Sequence, residues 1–371
     1  MKILYVANVR FPTPRAHGLQ IAKMCEAFAR AGEDVTLMVP RLEERYGDPF
    51  SYYGMERVFS IRRVSVLNWL TLGFFGYLIR MISFAYGVLM SGASRRSHLI
   101  FSRDIVSAYF FSFLHPAVVF EAHDLPRRHL WFWRHALGRM KAVVSTNRWK
   151  ADKLVKEFRV ARQRIVVAPN GFDPKEFEHL LSKEGARHTL NLPENLHIIL
   201  YTGHLYDWKG AHVLLEAARK KSVTDALFVF VGGTNEDVSY LRKEAEGLNT
   251  VHIVGHRPHQ EIPCWLVAAD VLVLPNSAQS EESVHETSPI KLFEYMAAGR
   301  PIVASDLPSI REIVSEREVE FVSPDNPGAL AQRIQSLLKN PVRMASFARV
   351  AKEKSVEYSW ENRARKILEA I

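Results

Sequence analysis

The sequence predicts an α/β protein of two consecutive βαβ domains, each a parallel sheet covered by helices. Three observations carry this reading. Strand-like and helix-like patterns alternate almost throughout the 371 residues. From Phe172 to Asn195 the chain turns polar and irregular, after which the same alternation restarts. Hydrophobic residues make up 47% of the chain, enough for a substantial core in each half. The expected organisation is 1–172 for a first domain, 173–195 for a linker, 196–341 for a second domain, and 342–371 for terminal helices packing back toward the first. Two such domains would face each other across a cleft, with the C-terminal strand ends of both sheets turned to a ligand.

The elements follow in order. "KILYVAN" opens as a strand, an amphipathic stretch runs from His17 to Ala31, Gly32 ends it, and the strand "DVTLMVP" follows. Met1 leads straight into the first strand, with no basic start, apolar run and cleavage site, so no secretory leader is expected. The segment Val66–Met90, "VLNWLTLGFFGYLIRMISFAYGVLM", is long enough for a bilayer but carries Arg80, Asn68 and three glycines. It reads as a helix or helix pair, either buried in the core or lying in a membrane interface. Arg62 and Arg63 before it, and Arg95 and Arg96 after it, suit anionic headgroups. "HLIFS", "PAVVFEAHD", "AVVST" and "RIVVAPN" complete the first set of strands. "HIILYTG", "LFVFVGG", "VHIVG", "DVLVLPN", "PIVAS" and "VEFVS" form the second.

Composition narrows the function classes. Cys25 and Cys264 are the only cysteines, which argues against a disulfide framework and fits a reducing, cytoplasmic compartment. The net charge of +9 is uneven: 27 Lys and Arg face 13 Asp and Glu through residue 175, and 22 face 27 beyond it. The first half therefore suits an anionic partner: nucleic acid, a membrane surface or an acidic acceptor. A dinucleotide-binding turn would show G-x-G-x-x-G after the first strand, but "VANVRFPTPRAHGLQIAK" holds the single glycine Gly18. No Walker loop occurs either, so hydride transfer and NTP hydrolysis are disfavoured.

Three constellations carry chemistry. In "HETSPIKLFEYMAAGRPIVAS", Ser288 suits an N-cap and Pro289 a first helical position. The N–H groups of Ile290, Lys291 and Leu292 would then open an anion site, to which Lys291 adds charge. Glu294, one turn in, suits a ribose diol, and Glu286, before the helix, the hydroxyls of another sugar. Equally, Lys291 and Glu294 read as an exposed i,i+3 ion pair. In "LYTGHLYDWKGAHVLLEAA", a strand passes Gly203 and reaches Lys209-Gly210 before a helix, a second anion site unless Lys209 is simply solvated. Two anion sites in one domain suit a diphosphate. In "VVFEAHDLP", Glu121, His123 and Asp124 end an apolar strand, where His123 reads as a proton-exchanging group or as a structural histidine. Gly18, between the cationic Arg15 and His17 and the helix, would admit backbone amides to the same phosphates, or is only a helix-start glycine.

Taken together these residues resemble the family 4 glycosyltransferases, which have the GT-B architecture of two Rossmann-like domains. The resemblance covers nearly the whole chain. "SPIKLFEYMAAGRPIVASDLPSIREIV" carries it most specifically, and "VVAPNGFDPKEF", "ADVLVLPN" and the strand–Gly–loop–Lys-Gly element support it in order. It implies transfer of a sugar, of hexosyltransferase type, from a UDP- or GDP-linked donor, with retention and without a metal or other cofactor. Glu286 and Glu294 are similar to the family's E-x7-E pair, on donor sugar and ribose. Lys209 matches the diphosphate lysine, Gly18 the first-loop glycine, and His123 the histidine near the donor's anomeric centre. Arg257, in the "GHRP" turn, falls where members hold the base through backbone atoms. The implied catalytic set is His123, Glu286 and Lys209. The implied nucleotide-sugar set adds Gly18, Gly203, His204, Arg257, Ser288, Pro289, Ile290, Lys291 and Glu294.

One departure matters. His204 stands where members usually have arginine, and a histidine is only partly charged at pH 7. Lys291, where many members are uncharged, is the candidate replacement. The implied acceptor is a glycan or lipid-linked molecule in cell-surface polysaccharide or glycolipid synthesis, met at the inner face of the cell membrane, with no nucleic acid partner. Nucleotide-sugar 2-epimerases share the architecture, and a non-catalytic nucleotide-sugar-binding subunit is the third reading.

Overall fold

The structure is a computed structural model that describes every residue except 44, 45, 70, 72 and 221, and describes 74 without its side chain. The chain divides into two compact units, Met1–Asn170 with Trp360–Ile371, and Gly171–Ser359. Each is built on a parallel sheet, as the alternating pattern predicts.

The first sheet comprises β1 (Lys2–Val6), β2 (Asp34–Pro40), β3 (Ser60–Val64), β4 (Leu99–Ser102), β5 (Val118–Ala122), β6 (Ala142–Ser145) and β7 (Ile165–Val167), in the order β3-β2-β1-β4-β5-β6-β7. Leu4 at its centre is in register with Thr36 on one side and Ile100 on the other. Helices cover both faces, so central strands such as β5, "VVFEA", are buried along their whole length and read as continuous apolar runs. The strand order reverses between β1 and β4, which puts Ala7, Asn8, Arg103 and Asp104 at a topological switch point.

The second sheet comprises β8 (His197–Thr202), β9 (Ala226–Val231), β10 (Val251–Gly255), β11 (Val271–Leu274), β12 (Ile302–Ser305) and β13 (Glu320–Val322), in the order β10-β9-β8-β11-β12-β13. Alternate residues serve its two faces. Ile198, Leu200, Leu272 and Leu274 pack with Leu292, Tyr295 and Met296, whereas Ile199, Tyr201, Val271 and Val273 pack with Val213, Leu214 and Ala217. The reversal between β8 and β11 places Gly203, His204, Pro275 and Asn276 at the second switch point.

Two expected boundaries are corrected. Residues 173–195 are not a linker: they form a short 3-10 turn, Pro174–Phe177, and a helix, Lys183–Thr189, whose Phe177 and Ala186 enter the core of the second unit. Their polar side chains are used internally, for Arg187 is 4% exposed and donates to Asp270 at 2.5 Å and to Ala268 O at 3.0 Å. The terminal stretch 342–371 also divides. Helix Pro341–Ser355 packs on helix Ile290–Ala297 of the second unit, and only helix Trp360–Glu369 joins the first, against helix Ala16–Arg30.

Within Val66–Met90 the described residues form one helix, Gly73–Met90; Leu70 and Leu72 lie outside the described residues. The core reading holds for one face of this helix, and the opposite face is exposed. Met81, Phe84, Ala85 and Val88 are buried, while Phe75, Leu78, Ile82, Tyr86 and Met90 form an exposed stripe. Among the described residues no helix is long and apolar enough to cross a membrane.

Candidate functional site

In the second unit, the site is assembled by the ends of β8 and β11. Gly203 follows β8 with φ +115°, which a side chain would strain. Helix Ile290–Ala297 is fastened beside it, because Tyr295 Oη accepts the Thr202 N–H at 2.8 Å. That places Lys291 against Gly203: a Cβ on Gly203 would lie 3.4 Å from Lys291 Nζ. Lys291 is 9% exposed, and its Nζ sits 3.8 Å from the Tyr201 ring centroid with no hydrogen-bond partner among the described residues. Burial pushes its pKa well below the ordinary lysine value, Lys209 pushes it further, and Glu294 opposes both. The exposed-pair reading of Lys291 and Glu294 therefore fails, since Glu294 is only 6% exposed.

Lys209 closes a 3-10 turn, Asp207–Lys209, before helix Ala211–Arg219. Gly210 joins the two at φ +71°, and a Cβ there would come within 1.8 Å of Pro275 O. The Lys-Gly pair is thus read physically: the glycine lets the loop press onto the end of β11. Lys209 Nζ lies 3.7 Å from the Trp208 ring centroid, and burial lowers its pKa to about 8 against the pull of Glu282. His204 stacks flat on Tyr206 at 5.0 Å, and its buried Nδ1 has no hydrogen-bond partner among the described residues. Burial first, then Lys209, lowers its pKa, so the histidine supplies little charge at neutral pH. Two amines and an imidazole therefore adjoin with their charged forms disfavoured by burial and by one another.

The helix start differs from expectation. Pro289, not Ser288, is the N-cap, no side chain caps the helix, and Leu292 N–H is spent on Pro289 O at 3.0 Å. Upstream, Glu282–Glu286 forms a π-turn, and Thr287 after it is extended. Ile290 and Lys291, the first two helical residues, are left to supply amides at the helix start. Glu286 ends the π-turn, half-buried. Ser283 ties that turn to the Lys209 loop through Trp208 O at 3.3 Å, and Ser309 Oγ donates to Ser283 O at 2.7 Å. Glu294 faces His259 Nε2 at 3.6 Å, and the same nitrogen lies 3.2 Å from Glu176. The Arg257 side chain is exposed and lies 3.9 Å from Glu261; the expected contact to a base runs through backbone atoms, which this exposure leaves untouched.

Asn276 went unread in the sequence. It is fully buried after β11, and neither amide atom has a hydrogen-bond partner among the described residues. Leaving such a group unpaired costs about 1–3 kcal/mol. The only sequence signal was an asparagine directly after the strand "DVLVLP".

In the first unit, His123 follows β5, with Nε2 2.8 Å from Glu121 Oε1. Burial and the nearby Arg103 lower its pKa to about 3, although Glu121 opposes them. Burial would raise the Glu121 pKa, but Arg363 and His123 outweigh it and hold the carboxyl well below its usual range. Gly18 is a helix-start glycine with a steric reason. It lies inside helix Ala16–Arg30, its N–H is donated to Arg15 O at 2.9 Å, and a Cβ would strike the Tyr53 hydroxyl at 2.2 Å. The glycine makes room for Tyr53, which bridges Thr13 N and O at 2.8 Å each. Beside it, a cavity of about 240 Å³ is lined by Asn8, His17, Tyr77, Met81, Arg103 and Asp104. Arg103 was not singled out in the sequence; it donates to His17 O at 3.3 Å.

Known proteins agree with these two units in turn. Residues 18–176 match the family described as Glycosyltransferase Family 4, and residues 182–354 match Glycosyl transferases group 1. The D-inositol 3-phosphate glycosyltransferase of Streptosporangium roseum is 27% identical over 239 residues, which are 61% of this chain and 53% of that protein. The chain spans about half the length of the curated relatives it first matches. Among solved structures, HepE of Anabaena in complex with UDP superposes with a TM-score of 0.77 at 18% identity, covering 100% of this chain and 99% of that one. Sucrose-phosphate synthase from Thermosynechococcus elongatus gives 0.78 at 18% identity, covering 100% and 98%. Both show the same fold, two Rossmann-like units.

Proposed function

The chain belongs to the family 4 glycosyltransferases, and from that premise we propose that it is a retaining enzyme moving a sugar from a nucleotide-diphosphate donor to a glycan or lipid-linked acceptor. The observation that carries the proposal is the buried, unpartnered Lys291 amine beside Lys209 and Gly203. An amine in that position is costly without an anion and favourable with one. A diphosphate at the helix-start amides of Ile290 and Lys291 would draw both lysines into their charged forms. Lys291 would then replace the arginine charge that His204 does not supply. As the bond to the diphosphate breaks, the same groups stabilise the growing charge, an effect that is often the largest in catalysis. Glu294 then takes the ribose diol and Glu286 the transferred sugar. No protein nucleophile is required where the acceptor attacks from the face the diphosphate leaves, with a diphosphate oxygen receiving its proton. No metal is assigned a part.

HepE has been crystallised with UDP-glucose, which makes that compound the first donor to try. The acceptor is assigned to the first unit, whose basic surface and exposed stripe on helix Gly73–Met90 support an encounter at an anionic, cytoplasmic membrane face.

A thermal-shift screen of nucleotide sugars, followed by transfer assays with and without EDTA, tests this. A donor that raises the melting temperature and is turned over in EDTA is the expected result. A strict metal requirement, or donor isomerisation with no acceptor, would replace this reading with another metal-dependent transferase or a 2-epimerase. Binding without any turnover would favour the non-catalytic subunit.

A further inference from the structure

The buried carboxylate of Glu121 collects three donors on one oxygen. Oε1 accepts from Gln20 Nε2 at 2.6 Å, from Arg363 Nη2 at 2.5 Å and from His123 Nε2 at 2.8 Å. All of these groups belong to the first unit, yet Arg363 comes from the last helix, 242 residues away in sequence. Glu121 is 0% exposed and Arg363 4% exposed. Arg363 Nε is also fixed, donating to Ala168 O at 3.2 Å and Pro169 O at 2.9 Å. On the far side, Lys150 Nζ donates to His123 O at 2.7 Å.

We infer that Glu121 and Arg363 are positioning residues that hold the His123 imidazole as the Nε2–H tautomer, leaving Nδ1 as an acceptor for a substrate hydroxyl. An ionised carboxylate only accepts, so the nitrogen facing it must carry the proton. The ring is neutral, because burial, Arg103 and Lys150 all disfavour a second proton. One proton then serves two nitrogens, and Nδ1 keeps its lone pair. His123 is thereby removed as a general acid at neutral pH and committed to accepting a hydrogen bond. Arg363 allows this arrangement, since an unpaired buried carboxylate would protonate or draw in water. Helix Trp360–Glu369 is therefore part of the site, through its second residue layer. The hydroxyl acceptor role rests on the proposed glycosyl transfer; the tautomer does not.

The full-length protein, labelled with ¹⁵N-histidine, allows the tautomer to be read directly from long-range ¹H–¹⁵N correlations at pH 7. The wild type is expected to show protonated Nε2 and bare Nδ1 at His123. Replacing the pair together, Glu121→Leu with Arg363→Met, avoids an orphaned arginine. It is expected to give mixed tautomers and a turnover lowered at least about tenfold with donor KM nearly unchanged. Glu121→Gln with Arg363→Met restores an acceptor and is expected to recover the tautomer and part of the turnover. A protonated Nδ1 in the wild type overturns the inference, as does an unchanged tautomer and turnover in the Leu–Met variant. If the protein transfers no sugar, the wild-type spectrum still decides the tautomer, so the two proposals fail separately.

Discussion

At the scale of single residues, Lys291 makes a prediction of opposite signs. Its amine is buried with no hydrogen-bond partner among the described residues, so Lys291→Met is expected to raise the melting temperature of the ligand-free protein. The same change removes charge from the leaving group, so the affinity for nucleoside diphosphates is expected to fall about tenfold or more, about 1.4 kcal/mol, by calorimetry. Stabilisation without loss of affinity would make Lys291 a packing residue. Lys209 adds a pH dependence. Its pKa is about 8 when folded and about 10.4 when unfolded, so the unfolded chain binds more protons between these values. Stability of the ligand-free protein is expected to rise as pH climbs through that window, and the rise is expected to shrink in Lys209→Met. Lys291 was legible in sequence because a lysine at a helix start conflicts with the helix dipole. The steric reason for Gly18 was not legible, because the Tyr53 hydroxyl lies 35 positions away and leaves no local trace.

At the scale of elements, the site depends on two backbone devices. The loop–helix junction at Gly210 combines φ +71° with an approach to Pro275 O that leaves no space for a methyl group. Gly210→Ala is expected to destabilise by at least about 1–3 kcal/mol, measured by denaturant unfolding, and to weaken nucleotide binding with it. The sequence displayed that glycine plainly. The π-turn Glu282–Glu286 it did not display, since nothing in "ESVHE" separates a widened turn from an ordinary one. Helix Gly73–Met90 is a second case. Its sequence is apolar around the whole circumference, so periodicity alone does not tell core from exposed face; packing does. Replacing Phe75, Ile82 and Tyr86 with serine is expected to abolish flotation with anionic liposomes while the melting temperature holds, because all three are exposed. Unchanged flotation would remove this stripe as the membrane contact.

At the scale of the molecule, two sheets with separate cores predict two calorimetric transitions. A nucleoside diphosphate is expected to raise the one belonging to Gly171–Ser359. Trp360→Ala, a change at a residue 3% exposed in the first unit, is expected to lower the other by about 3–5 kcal/mol. A single transition moved equally by both would contradict independent units. The domain count and the point where the pattern restarts were legible. The return of the chain was legible only in direction, because helices Pro341–Ser355 and Trp360–Glu369 are both amphipathic and their partners are set by shape.

The sequence by itself determined the α/β class, the two parallel sheets, the phosphate candidates Gly203, Lys209 and Lys291, and the ribose candidate Glu294. These rest on periodicity, strand-end position and local charge, which act over a few residues. Tertiary structure alone decided that Lys291 and Glu294 are buried, that Gly18 serves Tyr53, and that Glu121 holds His123 with an arginine from the last helix. Burial and long-range pairing set the cost of a charge, and neither is a property of neighbouring letters in a chain.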